Sequence, residues 1–137
     1  MKPGARHTVH TGRHAPSGEA GRIVEECVDS DARVHFRVAD AGDEMAMTMV
    51  RNEIAETMPP LRGVVHAAGT LDDGMLVHQS WDRWRAVLHG KARGAPGLDA
   101  MTPDTPLDFF VMYSAAGLLL GPVGQGSYAA ANAELDA

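Results

Sequence analysis

The sequence lacks the features that mark secreted, membrane and nucleic-acid-binding proteins. Its single cysteine, Cys27, cannot form an internal disulfide, and a reducing cytoplasm suits it. The N-terminus has no apolar h-region of a secretory signal, and no apolar run approaches the length of a transmembrane helix. A formal net charge of −6 without a basic patch disfavours nucleic-acid binding. We therefore expect a soluble, cytoplasmic protein.

The order of apolar runs and turn residues predicts alternating strands and helices. Strands are predicted at residues 6–11, 32–39, 61–66 and 107–113. Helices are predicted at residues 17–28, 43–58, 81–100 (with an interruption) and 125–137. This order predicts an α/β protein with a doubly wound, Rossmann-like parallel sheet. The residues expected on the buried faces of the first two helices are Ile23, Val24, Cys27, Met45, Met49, Ile54 and Met58.

Tyr128 and Asn132 are the first candidate site residues. They are spaced i, i+4, so they project from one face of the last helix. The Gly-rich segment 121–127 precedes them and can deliver the phenol to the C-terminal edge of a sheet, where open α/β folds bind ligands. The alternative is a surface tyrosine on an Ala-rich helix.

Three further segments extend this pattern along the chain. Residues 60–69 form a short strand followed by a small-residue turn, and Leu71-Asp-Asp73 comes directly after it. Lys91 then lies on a helical stretch ahead of the strand at 107–114. Together with Tyr128 and Asn132, these segments resemble the ketoreductase domain of modular polyketide synthases, a branch of the short-chain dehydrogenase/reductase superfamily. The resemblance covers residues 11–137.

The resemblance implies reduction of a β-ketoacyl thioester, carried by the phosphopantetheine of an acyl carrier protein, to a β-hydroxyacyl thioester. The hydride donor would be NADPH, and neighbouring synthase domains would be further partners. Ketoreduction also needs a proton donor and hydrogen bonds to the carbonyl oxygen. In the family pattern these roles fall on Tyr128 as the acid, with Lys91 and Asn132 beside it. Lys91 has only Lys2 as a rival, although a lone helical lysine is usually a solvated surface residue.

The serine is where the sequence departs from the family pattern. The resembled Ser-Ser pair falls on Ser114-Ala115, so alanine occupies the position of the catalytic hydroxyl. Successive side chains of an extended segment point to opposite faces. Ser114 can therefore serve only if the strand has already turned there, and the alternative is that no residue fills this role.

Candidate cofactor contacts lie after the first three strands. Arg13 matches the cation that suits the 2′-phosphate of NADP(H), and Asp40 matches an acid that contacts the adenine amino group in relatives. Ala67, Ala68 and Gly69 match the turn beneath the adenosine ribose, where small residues let the backbone approach closely. The alternatives are an exposed loop arginine and a helix N-cap aspartate.

Leu71, Asp72 and Asp73 match the marker of B-type ketoreductases, which guide the acyl-pantetheine arm into the site from one side. An acidic loop that caps a helix is the alternative interpretation. A metal site at His7, His10 and His14 is disfavoured, because Gly12 and Pro16 oppose a helix there and no acid or cysteine completes a ligand set.

Residues 1–137 are expected to be one truncated ketoreductase domain. No G-x-G-x-x-G turn occurs ahead of Thr11, so the family's first strand and its phosphate-binding turn are missing, and that strand is the centre of a 3-2-1-4-5 sheet. Pro96-Gly97 are expected to kink the helix that carries Lys91. Two alternatives to an enzyme domain of a synthase remain: an inactive structural remnant, and a free-standing short-chain reductase.

Overall fold

The computed structural model describes residues 5–28, 33–121 and 123–137, in which strands alternate with helices. The strands are β1 (His7–Gly12), β2 (Arg33–Val38), β3 (Gly63–His66) and β4 (Phe109–Met112). The helices are α1 (Gly18–Val28), α2 (Glu44–Thr57), α3 (Trp81–Ala92), α4 (Gly94–Ala100), α5 (Gly117–Leu120) and α6 (Gly126–Asp136), and a 3-10 turn lies at Leu76–His78. The predicted α/β order is confirmed, and α5 and the 3-10 turn are elements that the sequence did not predict.

The four strands form two parallel pairs. β1 pairs with β2, with His7 opposite Arg33, and β3 pairs with β4, with Gly63 opposite Phe109. Within the described residues, no strand joins one pair to the other. In a doubly wound sheet of order 3-2-1-4-5, these pairs are the two outer ones, and the first strand lies between them. The pairing is therefore that of a doubly wound sheet without its central strand.

One hydrophobic core lies between β1, β2 and the helices α2 and α4. Its buried residues are Ala39, Met47 and Val50, and the partly buried residues around them are Val9, Ala46, Ile54, Leu98 and Met101. The prediction that Met45 and Met49 face the core is wrong, because they are 79% and 73% exposed. Methionines follow helical spacing on both sides of α2, and the side that includes Met47 is the one that meets the sheet.

Two of the three residues of the apolar stripe predicted on α1 are also exposed, and Val24 is partly buried. Ile23 is 53% exposed and Cys27 is exposed as well, so their predicted burial is wrong. α1 lies against β2. The described part of the chain places no further layer over the outer face of α1, and an apolar stripe is buried only where another element covers it.

A second packed region joins α3 to α6. The two helices pack along each other, Val87 of α3 and Ala131 of α6 are almost fully buried, and Ala92 and Leu135 on the same helices are buried as well. Small residues let the two helix backbones approach closely. Because Lys91 and Tyr128 lie on α3 and α6, this packing brings their side chains into one region.

The predicted interruption of the long helix lies at Arg93, between α3 and α4. Pro96 therefore stands in the first turn of α4, where a missing N–H breaks no helical hydrogen bond. The helix thus breaks at Arg93 rather than at the expected Pro96-Gly97, and both of these residues lie outside the helix of Lys91. No helix of the described residues is long and apolar enough to cross a bilayer.

Candidate active site

Lys91 and Tyr128 meet between α3 and α6. The Nζ of Lys91 lies 5.6 Å from the centroid of the Tyr128 ring, over its face. Only 4% of Lys91 is exposed, so the alternative of a solvated surface lysine does not hold. The structure thus brings the two residues together despite the break after α3.

The ammonium of Lys91 has a defined position. Its Nζ donates a 2.6 Å hydrogen bond to the backbone carbonyl oxygen of Tyr113, just after β4. Burial lowers the pKa of Lys91 below its ordinary value, and the nearby carboxylate of Asp136 opposes that shift. An ammonium carries three donors, so one bond to Tyr113 leaves two N–H groups for other partners.

The main chain of Lys91 is held by His66, which the sequence analysis missed. His66 ends β3 and is 2% exposed, and its Nε2 lies 2.8 Å from the carbonyl oxygen of Lys91. The carbonyl is an acceptor, so Nε2 carries the proton in this bond. A Cβ at Gly94 would lie 2.7 Å from the His66 ring, so glycine is needed for this approach.

Asn132 is fully buried one turn after Tyr128. Its Nδ2 donates a 2.7 Å hydrogen bond to the carbonyl oxygen of Tyr128, which fixes the amide against the helix. Its Oδ1 is buried and has no hydrogen-bond partner among the described residues. A buried acceptor without a partner calls for a donor from water or a ligand.

Ser114 does not join this cluster. Its hydroxyl lies 3.0 Å from Oδ2 of Asp136, to which it donates a hydrogen bond. Asp136 is eight residues after Tyr128 on α6, a displacement of about 12 Å along the helix axis. In this arrangement the serine hydroxyl is directed to the far end of α6 rather than to the phenol.

Candidate cofactor residues lie on loops after β1, β2 and β3. Arg13 is exposed, and its Nη2 donates a 2.9 Å hydrogen bond to Oγ1 of Thr70, so the first and third loops touch. The turn at residues 67–69 leads toward Lys91: a Cβ at Gly69 would lie 4.0 Å from the Lys91 Nζ. These loops therefore form one continuous edge with the Lys91 cluster.

Asp40 is not the N-cap of α2, which was the alternative interpretation. The cap is Asp43, whose side chain accepts from the Ala46 N–H. Asp40 instead closes a turn by accepting from the Gly42 N–H at 2.9 Å, and its other oxygen lies 3.8 Å from Nε2 of His89 on α3. Its carboxylate thus lies on the loop after β2, near His89 of α3.

The acids of the Leu71-Asp72-Asp73 segment are both engaged by side chains of this chain. Asp72 forms a two-pronged ion pair with Arg83 of α3, and the pair lowers the pKa of that carboxyl. Oδ2 of Asp73 accepts a 2.9 Å hydrogen bond from Nε2 of Gln125, directly before α6. Leu71 is 60% exposed.

A cavity of about 330 Å³ lies beside this segment. Its walls come from the loop after Asp73, from α3 and from the turn that precedes Tyr128; the lining residues are Gly74, Leu76, Gln79, Trp84, Gly124, Gly126 and Ser127. Oε1 of Gln79 is buried without a partner among the described residues. The cavity thus offers apolar walls and one unfilled hydrogen-bond acceptor.

Within residues 5–28, 33–121 and 123–137, no group of three or more His, Cys, Asp or Glu side chains is placed to hold a metal ion. The ring of His7 stacks on that of His35 of the neighbouring strand, with centroids 6.4 Å apart.

Comparison with known proteins identifies the family. The family model described as KR domain matches residues 1–137. The chain belongs to the KR domain family. The polyketide synthase GfsB of Streptomyces halstedii is 44% identical over 135 residues, which are 98% of this chain and 2% of that polypeptide. The KR chain thus spans a small part of the curated relatives that it matches.

Solved structures agree with this assignment. A ketoreductase domain from the bacillaene assembly line superposes with a TM-score of 0.90 at 35% identity, over 95% of this chain and 31% of that chain. An A-type ketoreductase from a modular polyketide synthase superposes with a TM-score of 0.86 at 34% identity, over 96% of this chain and 28% of that one. The fold is therefore the Rossmann-like fold of the short-chain dehydrogenase/reductase ketoreductases.

The residues that the sequence analysis missed act through other residues. His66 binds the main chain of Lys91, and Arg83 binds Asp72. Gln125 binds Asp73, and Asp136 binds Ser114. Helical spacing alone could have indicated Asp136, which follows Asn132 by four residues on α6. The other three contacts join distant elements, and no local sequence pattern announces them.

Proposed function

We propose that this KR chain carries the catalytic residues of an NADPH-dependent β-ketoacyl reductase. Its reaction is reduction of a carrier-bound β-ketoacyl thioester to the β-hydroxyacyl thioester. The proposal rests on the buried ammonium of Lys91, which lies over the Tyr128 ring. One turn away, Oδ1 of Asn132 is buried without a hydrogen-bond partner among the described residues. The family relationship supports the reaction class.

In this proposal the Tyr128 hydroxyl gives its proton to the oxygen of the substrate ketone. Negative charge then develops on the phenol oxygen, and the nearby Lys91 ammonium stabilises that charge. The bonds of Lys91 to Tyr113 and His66 hold the cation in place before the reaction, so little reorganisation is needed. Asn132 presents Oδ1 to a water or substrate donor beside the phenol.

NADPH, when bound, supplies the hydride. The described residues fit its adenosine end: the exposed guanidinium of Arg13 suits a 2′-phosphate, Asp40 lies at the neighbouring loop, and Ala67, Ala68 and Gly69 form the small-residue turn. The pyrophosphate needs a further Gly-rich turn and helix N-terminus ahead of β1. We therefore propose that cofactor binding requires the central strand and that turn in addition to residues 1–137.

Ser114 is the hydroxyl proposed to hydrogen-bond the substrate carbonyl. The family position of this hydroxyl holds Ala115, so Ser114 would have to serve from one residue earlier. For this it must exchange its bond to Asp136 for a bond to the substrate. That exchange would require the Ser114 side chain, which follows β4, to rotate. Asp136 would then set how readily the hydroxyl is released.

The partners that we propose are an acyl carrier protein, which presents the substrate on its phosphopantetheine, and neighbouring synthase domains, as in the polyketide synthase relatives. B-type stereochemistry rests on Leu71, Asp72 and Asp73 beside the cavity near Tyr128. The likeness to an A-type ketoreductase is at the level of the fold, so it does not decide the product configuration. A cytoplasmic location remains a prediction.

An inactive ketoreductase remnant is the second candidate function. It is favoured by the engagement of Ser114 with Asp136 and by the alanine at position 115. A free-standing short-chain reductase is disfavoured by the KR family match over residues 1–137.

One assay separates the two candidates. The chain, completed with a Gly-rich phosphate-binding segment and central strand, is mixed with NADPH and a β-ketoacyl pantetheine thioester, and loss of NADPH absorbance is followed. We expect β-hydroxyacyl product and at least tenfold preference for NADPH over NADH, with Arg13→Ala removing that preference. NADPH binding without any reduction would support the inactive remnant.

A further inference from the structure

The loop at residues 71–74 is fixed at two points of the chain. The carboxylate of Asp72 binds Arg83 of α3, and the carboxylate of Asp73 binds Gln125 in the turn that leads into α6. The charge of Asp72 is therefore paired inside the chain, and one oxygen of Asp73 is bound by the neutral amide of Gln125. These contacts fix the position of the loop that carries the acids, and through that position the acids can act on the reaction.

Arg83 makes the first attachment. Its guanidinium grips both oxygens of Asp72, with Nε at 2.8 Å from Oδ2, and it also donates to the carbonyl oxygens of Asp73 at 3.2 Å and His78 at 2.9 Å. Gln79 adds a 3.0 Å hydrogen bond from its Nε2 to the Asp72 carbonyl oxygen. One side chain of α3 thus binds three residues of the segment from 72 to 78, in the planar geometry that only arginine provides.

Gln125 makes the second attachment. It binds Asp73, and the Gly74 N–H donates a 2.8 Å hydrogen bond to the carbonyl oxygen of Gly124. Gly124 has a positive φ of 80°, and a Cβ there would lie 3.5 Å from the Gly74 nitrogen. The loop is thereby joined to the turn that immediately precedes Tyr128.

The two attachments set the walls of the 330 Å³ cavity. The segment that follows Asp73 supplies Gly74, Leu76 and Gln79 to the cavity, and the turn before Tyr128 supplies Gly124 and Gly126. Trp84, one residue after Arg83 on α3, also lines the cavity. Displacement of the loop would therefore change the width of the cavity beside the catalytic tyrosine.

We propose that Arg83 and Gln125 are positioning residues that fix the loop at residues 71–74 over this cavity and thereby determine the product configuration. Asp72 and Asp73 act as their ligands and not as contacts of the substrate. The inference rests on the proposed reductase function. It predicts that variants which release the loop change the ratio of D to L product more than they change turnover.

The test compares Arg83→Met and Gln125→Met with Arg85→Met in the completed reductase domain. Arg85 is the matched control, since it lies on the same helix and its described contacts are to Asp82 and Trp81. Chiral chromatography of the reduced thioester should show a D:L ratio at least tenfold closer to unity for Arg83→Met, with kcat within about threefold of the parent. Arg83→Lys should recover only part of the ratio, because an ammonium cannot make the two-pronged contact.

Amide hydrogen exchange of Gly74 in the 137-residue chain is the second readout, and it does not depend on turnover. Arg83→Met should speed this exchange at least tenfold, while Arg85→Met should leave it unchanged. An unchanged product ratio or an unchanged Gly74 exchange in Arg83→Met would overturn the inference. A parent domain that binds NADPH and does not reduce the thioester would defeat the proposed function, and the exchange rates would then decide the anchoring alone.

Discussion

Nε2 of His66 lies 2.8 Å from the carbonyl oxygen of Lys91, one residue before the last residue of α3. The contact joins the carboxyl end of β3 to the helix that carries the candidate catalytic cation. A carbonyl in the last turn of a helix lacks an intrahelical donor, and His66 supplies one. The break between α3 and α4 therefore positions Lys91 instead of displacing it.

Replacement of Gly94 by alanine should disturb this contact. The new Cβ would lie 2.7 Å from Cε1 of His66 and 3.3 Å from Cβ of Ala41, so the imidazole would have to move from a tightly packed site. We expect Gly94→Ala to lower the free energy of unfolding by about 1–3 kcal/mol, as overpacking of a core does. Urea denaturation of the 137-residue chain measures this change.

Gly90→Ala is the matched control for that experiment. Gly90 lies inside α3, and a Cβ there would meet nothing within 4 Å. Alanine favours a helix over glycine, so Gly90→Ala should raise the free energy of unfolding by about 0.5–1 kcal/mol. Opposite signs for the two variants are predicted, and equal effects would refute the role assigned to Gly94.

Lys91 should titrate below an ordinary lysine. Its burial lowers the pKa, and the Asp136 carboxylate partly restores it, so Asp136→Asn should lower the pKa of Lys91 further. The chain contains two lysines, so NMR of lysine labelled with ¹³C at Cε should give two signals, one for Lys2 and one for Lys91. A rise of the Lys91 pKa in the Asp136 variant would contradict the arrangement.

The lowered pKa of Lys91 also has a consequence for stability. Between the folded pKa and the ordinary value of about 10.4, the unfolded chain binds more protons than the folded chain. The free energy of unfolding contributed by this group should therefore increase as pH rises through that window. Below the folded pKa the cost of the buried ammonium is fully present.

Asp72 should change stability with pH in the same direction, but at acidic pH. The hydrogen bonds from Arg83 lower the pKa of its carboxyl, so the ion pair stabilises the folded chain above the ordinary Asp pKa of about 3.9. That contribution should be lost as pH falls through the lowered folded value. In ¹³C NMR, Arg83→Met should return the Asp72 pKa toward its ordinary value, whereas Arg85→Met should leave it lowered. Equal effects of the two arginine variants would argue against the pair.

The sequence could predict features that depend on neighbouring residues. It could not predict features that depend on contacts between distant elements. The order of strands and helices followed from apolar spacing and from turn residues such as Pro59 and Pro60, which act on neighbouring residues. The burial of Met45 and Met49 on α2 was mistaken because Met45 and Met47 belong to two stripes of similar hydrophobicity. Only the position of β1 and β2 selects between them.

The candidate site divides in the same way. The pairing of Tyr128 with Asn132 followed from the geometry of one helix, and Lys91 followed from the family resemblance. The bonds from His66 and Arg83 each join elements that are distant along the sequence, over 25 residues for His66 and 11 for Arg83. Such contacts depend on how the chain packs, so spacing along the sequence could not predict them.

Ser114 offers a test of the proposed hydrogen bond to the substrate carbonyl. In the completed reductase domain, Ser114→Ala should lower kcat by about 100-fold if this hydroxyl stabilises the developing oxyanion. Ser17→Ala, an exposed serine ahead of α1, should leave kcat unchanged. If Ser114→Ala keeps the parent kcat, the hydroxyl is only a ligand of Asp136, as the observed bond has it.

We propose Tyr128 as the proton donor of a ketoreductase site. The other tyrosine of the chain serves as the control for this role. The chain has two tyrosines, Tyr113 and Tyr128, and Tyr113 holds Lys91 through its backbone while its side chain is 60% exposed. The decisive measurement is kcat for NADPH-dependent reduction of a β-ketoacyl thioester by Tyr128→Phe and Tyr113→Phe in the completed domain. We predict a fall of at least 100-fold for Tyr128→Phe with unchanged NADPH affinity, and parent turnover for Tyr113→Phe. Parent turnover in Tyr128→Phe would contradict the account.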